Sequence, residues 1–175
     1  MKIIEDFKHK ARCYYERDDA ASVLKVIIRD GSSANIYYRT AQFFFKCGLA
    51  PVGWILLENN KIFNGCVIGR DAEFDEGFVL MHPIGVVINS GVKGGKNIVI
   101  KSGVVIGAAK NGLPVLVPTL GDNIFIGSGA KILGKVKIGN NVTIGANAVV
   151  IKDVPDGATV VGIPARIVRI QEKSS

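Results

Sequence analysis

LGDNIFIGSGAKILGKVKIGNNVTIGANAVVIKDV, running from Leu120 to Val154, repeats itself with a period of six. An aliphatic residue stands at Leu120, Ile126, Ile132, Ile138, Ile144 and Val150. A second apolar or small residue stands four places after each, at Ile124, Ala130, Val136, Val142, Ala148 and Val154. Glycine follows most of the first set, at Gly121, Gly127, Gly139 and Gly145. A period of six is neither the 3.6 of a helix nor the alternation of a lone strand; it marks an internal repeat. Each hexad supplies one short strand and one corner. The aliphatic residue points inward, and Gly, Asn or Asp tolerates the tight backbone at the corner. One hexad cannot bury its own inward residue, so successive coils stack on one continuous core.

The register extends upstream to about Gly65. Ile68, Phe74 and Leu80 hold it, with Ala72, Phe78 and Ile84 four places on. The spacing then slips by two, and Ile88, Gly94, Ile100 and Ile106 resume it, followed by Val92, Ile98 and Val104 in the second set. Between Ile106 and Leu120 the spacing is fourteen, two more than two hexads. Residues 107–119, GAAKNGLPVLVPT, therefore read as an excursion from the coil, the kind of loop on which sites are built. After Val154, Pro155-Asp156-Gly157 turns the chain out. Val160–Ile170 is expected to return over the open end as a cap, and 171–175 is a frayed tail.

Ahead of the coil, helical spacing takes over. Ile3, Ile4, Phe7, Ala11, Tyr14 and Tyr15 share one face of a helix from Met1 to about Tyr15. Asp18 or Asp19 caps a second helix over Ala20–Ile28. Gly31-Ser32-Ser33 breaks it, a third helix spans Ala34–Cys47 ahead of Gly48, and Pro51 opens a short fourth through Leu57. The chain thus divides into a helical segment, 1–64, and a coil, 65–170. Gln42–Leu57 is the most apolar stretch. It is too short and interrupted to cross a bilayer, and packing against the coil or a partner subunit is favoured over a membrane surface.

Hydrophobic residues make up 48% of the 175 residues, enough for a buried core, and the net charge is +7. A basic balance suits nucleic acid, an anionic surface or a phosphate-bearing ligand; the lack of a Lys/Arg run interleaved with aromatics disfavours nucleic acid. Cys13, Cys47 and Cys66 lie far apart and make neither a disulfide framework nor a zinc spacing, so each reads as a small buried hydrophobe. With no leader at Met1–Asp6, the expected compartment is the cytoplasm. Of the two histidines, His9 falls on the polar side of the first helix and reads as surface. His82 lies in LMHPIGVV, where the hexad register slips, and suits a general base as well as a structural corner residue. No nucleophile elbow and no metal-ligand cluster is visible. Asp71, Glu73, Asp75 and Glu76 form a solvated acidic face, one member of which is a candidate partner for His82.

The hexads, His82 ahead of Gly85-Val86-Val87, the loop from Gly107, IGSGAKILGKVKIG and the C-terminal VPDGATVVGIPARIV resemble the serine acetyltransferases and related hexapeptide-repeat acyltransferases. RDDAAS at Arg17–Ser22 and IYYRTAQFFFKCG at Ile36–Gly48 are similar to that family's second helical section, so the resemblance covers about Arg17 to Ile170. It implies a mainly β fold, a left-handed parallel β-helix with a short α-helical N-terminal part. It implies a homotrimer with sites between adjacent prisms, acetyl-CoA as donor, and no metal. His82 matches the family's catalytic base and Asp18 an aspartate that contacts serine. Ala108, Ser128 and Ala146 match positions lining the coenzyme channel, with Lys152 and Arg166 as neighbours of its phosphates.

Three positions depart from the family. Its histidine-orienting aspartate falls at Val67, and the arginine and second histidine of its substrate loop fall at Leu116 and Val117. Serine carries two charges, and LPVLVP offers no charged partner. The expected acceptor is therefore a sugar hydroxyl of a surface-polysaccharide pathway. Serine itself is the alternative, and a catalytically silent scaffold is a further one.

Overall fold

The structure, a computed structural model, describes residues 2–109 and 115–171. The start of the first helix at Met1, the centre of the 107–119 excursion and the tail beyond Gln171 lie outside the described residues.

Stacked hexads form three parallel sheets, one on each face of a prism. The first face stacks Val67–Ile68, Val87–Ile88, Val105–Gly107, Lys131–Leu133 and Val149–Val150. The second stacks Glu73–Phe74, Lys93–Gly94, Thr119–Leu120 and Lys137–Ile138. The third stacks Val79–Leu80, Ile98–Ile100, Ile124–Ile126, Thr143–Ile144 and Ala158–Val161, and ends on the antiparallel Arg166–Ile170. The chain visits the faces in turn, so pairing partners such as Val87 and Val105, or Lys131 and Val149, are one coil of three hexads apart. The architecture is the left-handed parallel β-helix.

Inward hexad residues make the core. Ile100, Ile106, Ile126, Ile132 and Ile144 are fully buried, each contributing about 1.5–3 kcal/mol of transfer free energy. Gly94 holds an inward slot without a side chain, and its neighbour explains why. A Cβ there would lie 2.5 Å from the Phe74 ring, which fills the space while stacked on Phe78 at 4.2 Å between centroids. Two corners are columns of left-handed residues. One runs through Gly77, Asn97, Asn123, Asn141 and Gly157, the other through Gly65, Gly85, Gly103, Gly129 and Asn147. Only Gly and Asn adopt that conformation at low cost. The asparagines of the first column also ladder, Asn97 Nδ2 donating to Asn123 Oδ1 at 2.9 Å and Asn123 Nδ2 to Asn141 Oδ1 at 3.1 Å.

Strand pairing corrects the reading of the excursion. Ile106 pairs with Ile132 on the first face and Leu120 with Ile138 on the second. These are successive faces, so the insertion is eight residues beyond one hexad, not two beyond two hexads. The C-terminal segment lies along the last coil. Ala158–Val161 continues the third face and Arg166–Ile170 pairs antiparallel along its free edge, while between them Gly162 O accepts from Val149 N–H, Ala165 N–H donates to Val149 O, and Ala165 packs against the core.

Four helices precede the coil: α1 (Lys2–Tyr15), α2 (Ala20–Ile27), α3 (Ser32–Lys46) and α4 (Ala50–Asn64). Asp19 is the cap of α2, accepting from the backbone N–H groups of Ala21 and Ser22 at 3.0 and 3.1 Å. α4 runs seven residues past the expected Leu57. Asn60 is buried there, its amide 3.4 Å from the Ala34 carbonyl, and Phe63 stacks on Tyr37, so packing overrides the weak helix propensity of asparagine. Among the described residues, no helix is long and apolar enough to cross a membrane.

The first coil would leave a row of open backbone groups, and helical side chains close it. Asn35 of α3 acts as a surrogate strand: its Nδ2 donates to Phe78 O at 2.7 Å and its Oδ1 accepts from Leu80 N–H at 3.0 Å. Tyr38 Oη donates to Ala72 O, and Arg39 donates to Phe74 O and Asp75 O. From α1, Asp6 accepts from Phe78 N–H. His9, expected on the surface, is half-buried with Nδ1 donating to Gly77 O at 2.6 Å, and burial lowers its pKa.

Candidate active site

Leu80 still pairs in the third sheet, with Ile100, and Met81 N–H donates to Ile100 O. Beyond the corner, Gly85 N–H donates to Gly65 O and Gly103 N–H to Ile84 O. The two residues of the register slip are therefore His82 and Pro83, bulged from an otherwise continuous corner. His82 adopts a φ of 54°, an uncommon conformation for a residue with a side chain, and one that clusters at functional sites.

The bulge meets the turn between α2 and α3. Asp30 Oδ2 lies 2.6 Å from His82 Nδ1, with both side chains more than half exposed. A carboxylate only accepts, so Nδ1 carries the hydrogen, and in the neutral ring the lone pair is on Nε2. Gly31 permits this approach. It has a φ of 82°, and a Cβ on it would lie 2.3 Å from Leu80 O. Lys10 then clamps the contact from beneath. Its Nζ donates to Asp30 O at 2.7 Å, Ser32 Oγ at 2.8 Å and Leu80 O at 3.3 Å. Lys10 is only 1% exposed, and burial pulls its pKa down to about 8, against the opposing pull of Asp30.

The acidic face of the coil supplies nothing to His82. Asp75 pairs with Lys2, Glu76 with Lys96, Glu73 with Lys93, and Asp71 with Arg70 and Ser90. The carboxylate in contact with His82 is that of Asp30. Sequence reading missed it because its turn is fifty-two positions from His82. A weaker signal was available: Asp6 and Lys10 interrupt the apolar stripe of α1 at i and i+4, and both prove buried.

Four of the other expected site residues, Ala108, Ser128, Ala146 and Lys152, fall on two edges of the first face. Val79–Leu80, Ile98–Ile100, Ile124–Ile126 and Thr143–Ile144 lead into His82, Ser102, Ser128 and Ala146, all at the corner between third and first faces. Ser102 Oγ donates to Ser128 Oγ at 3.2 Å. Ala108 and Lys152 follow strands of the first face and lie at its opposite corner. Arg166 opens the antiparallel strand, across from Val161. Asp18 sits in the α1–α2 turn, where Arg12 Nη1 donates to it at 3.0 Å. Of the three cysteines only Cys66 is buried, its thiol pushed up to about 12; Cys13 and Cys47 are exposed, contrary to expectation. Among the described residues no group of three or more His, Cys, Asp or Glu is placed to hold a metal.

Residues 118–152 match the family described as Bacterial transferase hexapeptide (six repeats). The chain is 36% identical over 156 residues to the serine acetyltransferase of Bacillus pumilus, covering 88% of this chain and 72% of that one. The crystal structure of Neisseria gonorrhoeae serine acetyltransferase in complex with serine is similar at a TM-score of 0.80 and 33% identity, covering 95% of this chain and 68% of that one. The Brucella abortus enzyme in complex with coenzyme A is similar at 0.85 and 27% identity, covering 97% and 68%. The chain spans about two thirds of such relatives, from 65% of one to 72% of another. These relatives overturn the expected sugar acceptor and polysaccharide pathway, which had rested on the missing charges of LPVLVP. Charged groups reach this end of the coil from the helical segment instead, as Asp30 does. The chain belongs to the serine acetyltransferase family of hexapeptide-repeat acyltransferases.

Proposed function

We propose that this protein transfers the acetyl group of acetyl-CoA to the hydroxyl of L-serine, with His82 as general base. The observation that carries the reading is the histidine itself: bulged from the coil, bonded at Nδ1, and offering Nε2 to a substrate. Nε2 takes the proton of the serine hydroxyl as its oxygen attacks the thioester carbonyl. The tetrahedral adduct collapses with cleavage of the C–S bond, and the imidazolium returns the proton to the departing thiolate. The products are O-acetylserine and coenzyme A.

Asp18 is assigned to the serine ammonium, exchanging its exposed contact with Arg12 for the substrate. The donor lies along the prism edge, where Ala108, Ser128 and Ala146 present little side-chain bulk and Lys152 and Arg166 offer charge to its phosphates. These residues occupy opposite corners of the first face. A donor held between two prisms, against one corner of each, would meet both sets, which supports a homotrimer with sites between prisms. Residues 1–64 are read as the helical segment that completes the site and 65–170 as the transferase coil. Three unpaired cysteines suit a reducing cytoplasm.

Coenzyme A release by the full chain tests the reading. Release that depends on L-serine, with a serine KM raised about tenfold or more in Asp18→Ala at unchanged acetyl-CoA KM, is expected. Release that ignores L-serine overturns it.

A further inference from the structure

We infer that Asp30, in the turn between α2 and α3, is the positioning residue that fixes the tautomer and aim of His82, so that the helical segment supplies half of the base. This rests on the reading of His82 as general base and names what makes it one. Neither residue is packed in place by its own surroundings: the side chains of His82 and Asp30 are 60% and 56% exposed. An exposed imidazole left alone samples both tautomers and several rotamers. The 2.6 Å contact to Asp30 Oδ2 selects the form with hydrogen on Nδ1, leaving Nε2 as the acceptor for a substrate proton.

The turn is built to hold that carboxylate where it is. Gly31 presses its backbone on Leu80, where any side chain would collide with the carbonyl. Lys10 bridges the carbonyls of Asp30 and Leu80, the residues that lead into the turn and into His82. Ser32 Oγ accepts from Lys10 and donates to Val26 O, tying the bridge back to α2. The backbone on both sides of the contact is therefore braced by one buried amine, while the two side chains meet above it in solvent. An ordinary surface ion pair has no such support.

The test compares His82→Ala, Asp30→Asn and Asp30→Ala in the full chain by acetyl transfer to L-serine, thermal melting and ¹⁵N NMR of the imidazoles. With only two histidines in the chain, His82→Ala assigns the spectrum. In both Asp30 variants kcat falls roughly 10²-fold or more, with acetyl-CoA KM within about threefold and melting unchanged. His82 nitrogen shifts move from the Nδ1–H form toward Nε2–H in Asp30→Asn, because the amide can donate to Nδ1. Asp30 variants with wild-type kcat, alongside an inactive His82→Ala, overturn the inference and leave the base intact. A loss of kcat with unchanged His82 tautomer also overturns it. An active His82→Ala instead removes the base reading itself.

Discussion

Lys10 keeps its amine inside the protein, on three oxygen acceptors, and its folded pKa is about 8 against 10.5 for an ordinary lysine. Holding the charge there costs the fold roughly 3 kcal/mol relative to the neutral amine. The unfolded chain keeps that proton up to about pH 10.5, whereas the folded one releases it near 8. Between those values the unfolded state binds more protons, and the contribution of Lys10 to stability rises with pH. Melting of wild type and Lys10→Met at pH 7.5 and pH 10 isolates the effect: the wild type gains on the variant at the higher pH, and a constant gap would contradict the assignment. At this scale His82 was legible in the sequence because it breaks a period. Asp30 was not, because a contact made across two packed segments leaves no spacing in either.

Elements hold together through the bond between helices and first coil. Asp6 of α1 accepts from Arg39 of α3 at 2.7 and 2.9 Å and from the N–H of Phe78 at 2.9 Å, with the side chains of Asp6 and Arg39 only 1% and 10% exposed. Burial raises the Asp6 pKa even so, against the lowering effect of Arg39. Asp6→Ala leaves a buried guanidinium without its counter-ion, and a loss of about 3–5 kcal/mol is expected in urea denaturation. Lys2→Ala removes a pair whose side chains are 49% and 55% exposed, and less than about 1 kcal/mol is expected. Equal losses would mean that the buried pair does not staple the helices to the coil. The coil was legible residue by residue, since each inward slot demands an apolar side chain, and Gly94 breaks the rule only because Phe74 fills its place. The extent of α4 was not, because Asn59, Asn60 and Asn64 read locally as a loop and become helical through contacts with α3. Nor does the sequence single out Asn35, whose side chain bonds the backbone of Phe78 and Leu80 and completes a sheet.

In the whole molecule, faces and corners of the prism leave Ile84, Val87, Phe125, Ile151 and Ile163 at least two-fifths exposed. If the proposed homotrimer forms, light scattering gives three times the 18.7 kDa of one chain; a monomer at micromolar concentration would contradict the proposed sites between prisms. The excess of positive charge, +7 over the chain, suits a donor that carries phosphates. The acceptor was the least legible feature. Reading it from residues 113–118 assumed that charge for serine must come from that loop, whereas α1, α2 and their turns also present charged side chains. The most direct measurement is formation of O-acetylserine from acetyl-CoA and L-serine, followed by mass spectrometry in wild type and His82→Ala. O-acetylserine from the wild type and a rate lower by about 10²–10⁴-fold in the variant are expected; no O-acetylserine from the wild type, or equal rates in the two, would rule out His82 as the base of a serine acetyl transfer.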